Sequence, residues 1–182
     1  MSARIVRIAR AATGLGLFAV KPIAKRAYIA TYRGKRIPTK DAHHREWRWG
    51  AKYMFEINDR WTINGSSRHN LGRYINHACK PNADAVLRKG KIVFIALRKI
   101  APGEEITFDY GEDYFDYFIK PHGCRCTHCV MKRRRKRKAL RVAKQKEALR
   151  AEASRQKDLR QKESRQKDLR KDTPRDEYRK AA

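Results

Sequence analysis

The chain has 182 residues, with 46 Lys and Arg against 19 Asp and Glu, and a formal net charge of +27. That length allows one domain of ordinary size plus an appendage. No stretch approaches the roughly 20 apolar residues of a membrane span, and Arg4, Arg7 and Arg10 interrupt the apolar N-terminal run that a secretory signal needs. A reduced, intracellular setting without a membrane partner is therefore expected.

The charge is unevenly dense. Residues 132–182 carry 22 basic and 8 acidic side chains; residues 1–131, far longer, carry 24 and 11. From Lys132 onward there is no Phe, Trp, Ile, Cys or Gly, so a packed core is expected in the first 131 residues alone. A field of this sign attracts polyanions by releasing their counterions. Nucleic acid, bound through residues 132–182, is the expected partner; a merely solubilising tail is the plainer alternative.

In chain order, Arg4–Arg10 alternates imperfectly and predicts a short strand. Thr13–Val20 reads as a glycine turn running into an apolar strand, and Tyr28–Tyr32 as a strand stopped by Gly34. Residues 39–50 are polar with two tryptophans and predict helix or loop. Tyr53–Ile57 and Lys91–Leu97 alternate as strands do, Ala101-Pro102-Gly103-Glu104 is a turn, and Ile106–Tyr110 is the last strand. Many short strands between Gly, Pro and Asn turns predict a mainly β (α+β) domain with little helix. The tail differs in kind. Lys132–Lys138 is seven consecutive basic residues, and Ala139–Lys171 lacks Gly and Pro and is rich in helix formers. Ser154–Arg160 recurs as Ser164–Arg170. Ten residues fall about 80° short of three helical turns, so the repeats share no face. Leu140, Leu149, Leu159 and Leu169 make no coiled-coil seam. A charged, solvated helix or a disordered segment is expected.

All four cysteines fall into two places: Cys79, and 45 to 50 residues later Cys124, Cys126 and Cys129. Four thiols with none left over, in a chain without an export signal, point to a tetrahedral zinc site rather than to disulfides. Reduced, metal-free thiols are the alternative.

Four ordered motifs carry a family resemblance over about residues 3–130. They are Gly14-Leu15-Gly16-Leu17-Phe18-Ala19; Tyr32-Arg33-Gly34-Lys35-Arg36-Ile37; Arg73-Tyr74-Ile75-Asn76-His77-Ala78-Cys79-Lys80-Pro81-Asn82; and Gly103 to Gly111, ending Phe108-Asp109-Tyr110-Gly111. Together they resemble the SET-domain protein lysine methyltransferases, whose form of the third motif is Arg-Phe-x-Asn-His-Ser-Cys-x-Pro-Asn. Lys35 stands where the family usually has glutamate, and Tyr74 and Ala78 are mild departures.

The resemblance implies a SET fold of several small sheets over residues 3–111, in which the third and fourth motifs cross as a pseudoknot. A post-SET-like zinc segment follows over 112–131, then the basic tail over 132–182. It implies S-adenosylmethionine as methyl donor, contacted by Gly14, Leu15, Gly16, Tyr53, Arg73, Tyr74, Asn76 and His77, with Asn82 in the same turn network. Tyr110 corresponds to the catalytic tyrosine, assisted by Tyr32; Tyr32, Tyr53, Phe108 and Tyr110 would line the lysine channel. Phe108, two residues before the catalytic tyrosine, favours di- or trimethylation. The zinc ligands would be Cys79, Cys124, Cys126 and Cys129, although Cys-x-Cys-x2-Cys is two residues shorter than the usual post-SET spacing; His122 and His128 are alternative ligands. The Tyr114–Ile119 run is aromatic enough to form a lid over the channel.

The function these features predict is S-adenosylmethionine-dependent N-methylation of lysine in a basic protein, histone-like proteins included. The alternative is a non-catalytic SET-like adaptor that binds nucleic acid or chromatin. KRRRKRK reads as a nuclear import signal in a eukaryote, or in a protein delivered to a host nucleus, and as polyanion-binding charge in a bacterial cytoplasm or nucleoid.

Overall fold

The computed structural model describes residues 4–49 and 52–171. The chain divides into two compact units, residues 1–132 and 133–182. Among the described residues, the first unit holds ten strands in three small sheets. Strands β1 (Val6–Ala11) and β2 (Gly14–Ala19) form a hairpin that reverses over Ala12-Thr13 and closes at Gly14, whose φ of +119° is left-handed. β3 (Tyr28–Thr31) and β4 (Lys35–Pro38) lead into helix α1 (Thr39–Trp49). β5 (Met54–Glu56) and β6 (Trp61–Asn64) follow, then a 3-10 turn at Leu71–Tyr74 and the two-residue β7 (Asn76–His77). β8 (Ala83–Arg88), β9 (Lys91–Ala96) and β10 (Glu105–Phe108) complete the sheets. Their spatial orders are β1-β2-β10-β7, β3-β9-β8 and β4-β6-β5.

The period-2 pattern does what alternation should. Ile92, Phe94 and Ala96 of β9 and Ile106 and Phe108 of β10 are buried, with their neighbours more exposed. Phe94, Leu17, Ile75, Ile100 and Ile106 are fully enclosed and form the centre of the core. Two buried asparagines pin loops to it. Asn70 donates to the Gly65 carbonyl and accepts from the Arg33 and Gly72 amides. Asn82 donates to Glu104 Oε1 and the Glu105 carbonyl and accepts from the Thr107 amide. Burial of such groups is tolerated because each has its partners.

Gly65 and Gly72 let the chain close on Tyr32. A Cβ at Gly65 would collide with the Tyr32 ring, and one at Gly72 would come within 2.7 Å of it and 2.8 Å of Phe94. Gly65→Ala should therefore lower stability by about 2 kcal/mol through overpacking. Chemical denaturation checks this; an unchanged midpoint would contradict the packing described.

Four strands escaped the sequence reading, among them the two-residue β7, which exists through its parallel pairing with β10. β4 and β6 are four residues each, with alternation too short to register, and they form because they pair with each other through Lys35–Asn64 to Pro38–Trp61. β8, Ala-Asp-Ala-Val-Leu-Arg, pairs along its whole length with β9. Of residues 39–50, expected as helix or loop, Thr39–Trp49 is helical, with the Thr39 hydroxyl donating to the Asn58 carbonyl, and Gly50 lies outside the described residues. The lid candidate begins as α2 (Glu112–Tyr114), loosens into a π turn at Phe115–Ile119 and tightens into a 3-10 turn at Lys120–His122. The last helix, α3 (Thr127–Lys171), starts among the cysteines, ahead of the basic run.

Candidate active site and metal centre

A cavity of about 750 Å³ opens in the first unit. Tyr32, Tyr53, Phe108, Tyr110 and Tyr114 supply its aromatic wall. Phe108 stacks on Phe55 at 6.0 Å between ring centres and touches Tyr110 at 4.7 Å; Tyr110 meets Tyr114 at 5.1 Å. The two central phenols are tied down. Tyr32 donates to the Tyr53 carbonyl at 2.7 Å, and Tyr110 donates to the Ile75 carbonyl at 2.9 Å. Both hydroxyls are held well above the ordinary tyrosine range, first by burial and then by neighbouring tyrosines (Tyr110 beside Tyr32; Tyr114 and Tyr53 beside Tyr110). They stay protonated and neutral at physiological pH.

The placement of Tyr110 comes from a crossing of distant segments. β7 runs parallel to β10, with Asn76 opposite Thr107 and His77 opposite Phe108. The Ala78 amide then bonds the Phe108 carbonyl, and the Tyr110 amide donates to His77 Nδ1. With Nδ1 accepting, the neutral ring carries its proton on Nε2, 3.3 Å from Cys79 Sγ. Burial holds the His77 pKa below its usual value, against the opposing pull of Asp109.

The residues carried over as donor contacts fall into two groups. Tyr53 and Arg73 line the cavity, and Arg73 lies over the Tyr53 ring at 4.1 Å and the Tyr74 ring at 5.3 Å. Tyr74 is buried, its hydroxyl on the Arg68 carbonyl. Gly14, Leu15, Gly16, Asn76 and His77 gather outside the cavity lining: Asn76 Nδ2 donates to the Leu15 carbonyl at 3.2 Å and to Glu105 Oε1 at 2.7 Å. Ile75, which lines the cavity, joins the two groups through the chain. Arg73 Nε is buried with no hydrogen-bond acceptor among the described residues. That unsatisfied donor fits a ligand bearing a carboxylate, as the amino-acid moiety of S-adenosylmethionine does.

Sequence reasoning did not find the acidic side of the cavity. Glu46 of α1, Glu56 of β5, Asp84 of β8, and Asp109 and Asp113 beyond β10 all line it, and among the described Lys and Arg residues only Arg73 does. The first 131 residues hold eleven acids in all, so nearly half converge here in a strongly basic chain. They lie far apart in sequence and left no pattern to read. Burial raises the Glu46 pKa, His43 opposing and Glu56 adding to the rise. His43 and Glu56 are themselves paired at 3.1 Å.

The four cysteine sulfurs lie within 4.8 Å of one another, with Cys79 3.8 Å from Cys124 and 3.5 Å from Cys129. A tetrahedron with zinc–sulfur bonds of ~2.3 Å has sulfur edges of about 3.8 Å, so the set fits zinc. The short Cys126–Cys129 gap is accommodated because Cys129 sits in the first turn of α3. His122 and His128 are outside the group among the described residues. Burial and thiol neighbours push the Cys79 thiol up. At Cys126 burial also raises the pKa, but hydrogen bonds from Cys79, Cys129 and Cys124 outweigh it and bring the thiol down to about 7. Cys124, Cys126 and Ala78 form a small core of their own, with Phe115 and Ile119 packed on it.

Residues 14–111 match the SET domain model. The chain belongs to the SET-domain family. This SET protein is 39% identical over 104 residues to "Histone-lysine N-methyltransferase, H3 lysine-4 specific" of Candida albicans, a match covering 52% of the chain and 10% of the relative. It is 36% identical over 124 residues to human "Histone-lysine N-methyltransferase 2D", covering 64% and 2%. Among solved structures it resembles a chain of "ctPRC2 in an autoinhibited conformation bound to S-adenosylmethionine", at 30% identity and a TM-score of 0.55 over 60% of this chain and 15% of the other. The SET protein thus spans a tenth or less of these curated relatives. No helix among its described residues is long and apolar enough to cross a membrane.

Proposed function

We propose that this SET protein is an S-adenosylmethionine-dependent protein-lysine N-methyltransferase, acting on a lysine in a basic protein of the histone kind. The observation that carries the reading is the Tyr110 hydroxyl, set on the Ile75 carbonyl inside an aromatic cavity where the Asn76-His77 segment crosses the end of β10. S-adenosylmethionine, when bound, supplies an electrophilic methyl group. Gly14–Gly16, Tyr53, Arg73, Tyr74, Asn76 and His77 are the residues that would hold it.

The remaining work belongs to the channel. Lysine attacks only when neutral, and its free pKa is near 10.4. Tyr32, Tyr53, Phe108 and Tyr110 desolvate the side chain and so favour the neutral amine, while their ring faces hold the ammonium before proton loss. Neutral phenols provide no base; Tyr110 and Tyr32 orient the amine, and orientation with fixed dipoles lowers the barrier. The proposed units remain a SET domain over 3–111, a zinc segment over 112–131 and a basic tail over 132–182, the last binding nucleic acid. In a eukaryotic cell, such a substrate and the KRRRKRK run would place the protein in the nucleus.

Incubation with labelled donor and a panel of basic proteins, followed by mass spectrometry of the modified residue, tests the activity. Transfer to no substrate would favour the adaptor.

The acidic lining supports a cationic substrate. Glu56→Gln combined with Asp84→Asn should raise KM for a basic peptide about tenfold with kcat little changed, and the difference should shrink at high salt. A salt-insensitive KM would contradict that role. Phe108 packs against Phe94 at 5.0 Å and brings no hydroxyl to the channel. Intact-mass analysis should show di- and trimethyl product for the wild type and mainly monomethyl for Phe108→Tyr; identical product distributions would remove Phe108 as the determinant.

A further inference from the structure

The basic side chains of α3 are not spread evenly. Lys132–Lys146 holds ten Lys and Arg and no acid; acids begin at Glu147 and recur at Glu152, Asp158 and Glu163. Beyond Glu147, pairs such as Asp158 with Lys162 have the i,i+4 spacing that offsets charge on a solvated helix. Every side chain from Met131 to Arg165 is exposed. Leu140 and Leu159 are exposed and point in different directions; Met131, Val142 and Leu149 share a face but are 11 and 7 residues apart, too sparse for a seam with a partner helix among the described side chains. Seven consecutive basic residues, at about 100° each, surround the helix with positive charge.

We propose that the proximal four turns of α3, Lys132–Lys146, lie in the major groove of duplex DNA and bind its phosphates without reading sequence. This rests on the nucleic-acid reading of the tail and narrows it to one partner and one segment. A helix with side chains is about 10–12 Å across, and the B-form major groove is about 12 Å wide. The A-form groove of duplex RNA is too deep and narrow to admit it. A helix clothed in Lys and Arg on all sides can meet both groove walls at once, whereas a one-sided basic stripe meets one. The segment carries a single side-chain amide, Gln145, and no Asn, so it lacks bidentate adenine readers, and its Lys and Arg surround the helix rather than converge on one base-facing edge, which favours phosphate contact. The charge-paired remainder adds little to binding.

The test is fluorescence anisotropy of the full chain with a labelled DNA duplex across a salt series, repeated with the RNA duplex of the same sequence. DNA should bind with a log–log salt slope of about −5 or steeper, as about six neutralised phosphates require. Replacing Arg133–Lys138 by glutamine should weaken binding at least 100-fold at 0.1 M salt and flatten the slope by most of that amount, with helicity by circular dichroism retained. Replacing Arg155, Lys157, Arg160 and Lys162 by glutamine should change affinity less than threefold. RNA should bind at least tenfold more weakly than DNA. Equal binding of RNA and DNA, or equal losses in the two variants, would overturn the groove assignment while leaving nucleic-acid binding standing. Binding of neither duplex would remove both.

Discussion

Tyr110→Phe should lower kcat for methyl transfer by about 100-fold or more while leaving the protein folded, the scale of loss when a positioned hydroxyl is removed from a reacting centre. The substitution deletes one oxygen, the donor to the Ile75 carbonyl, and keeps a ring that packs on Phe108, His77 and Tyr114. The lost bond should cost about 1 kcal/mol of stability, a shift of a few degrees in Tm. Single-turnover kinetics with the melting curve alongside separates the two effects. A variant that transfers methyl at the wild-type rate would remove Tyr110 from the chemistry. The pH profile adds a second check. Burial holds the Tyr110 phenol above its ordinary range, so it stays protonated as pH rises toward 10, and kcat/KM should climb with deprotonation of the substrate amine alone. A tyrosine inflection below about pH 9 would contradict the neutral-phenol role.

Metal removal should be nearly as damaging. The wild type should carry one zinc per chain, and Cys126→Ser should bind it far more weakly. Chelation should lower Tm by about 10 °C or more, as loss of some 3 kcal/mol implies for a domain of this size. Activity should fall with it, for a structural reason. Cys79 receives the His77 Nε2 contact, His77 Nδ1 accepts the Tyr110 amide, and the His77 ring lies 5.4 Å from Phe115 of the segment the cysteines anchor. Four thiolates cannot stay close without a cation, since each raises the cost of ionising the next. Without metal, both the Tyr114–Ile119 run and the hold on Tyr110 should loosen. Metal analysis, melting and transfer assays on one preparation check this; a fully active, equally stable metal-free protein would sink the zinc reading.

These expectations draw unequally on sequence and structure. The strands that bury alternate residues, β9 and β10, were legible because a period of two survives in any context that covers one face, and β2 was legible as an apolar run after a glycine turn. β4 and β6 were not, because four residues hold too little alternation and pairing supplies the missing stabilisation. The helix of the tail was legible from composition, but its start at Thr127 was not, because that turn is set by the cysteines folding back toward Cys79. Tyr110, the Asn76-His77 pair and the four thiols could be named from motifs.

The sequence by itself determined which motifs the family resemblance rests on, where charge concentrates and that four thiols stand at spacings a zinc site could use. Only the tertiary structure decided that the Ile75 carbonyl receives Tyr110, that Arg73 Nε has no acceptor among the described residues, and that five scattered acids line one cavity. The physical reason is range: periodicity and motif spacing are set by neighbours along the chain, whereas a cavity wall is set by which distant segments pack, and backbone carbonyls or isolated carboxylates leave no local pattern.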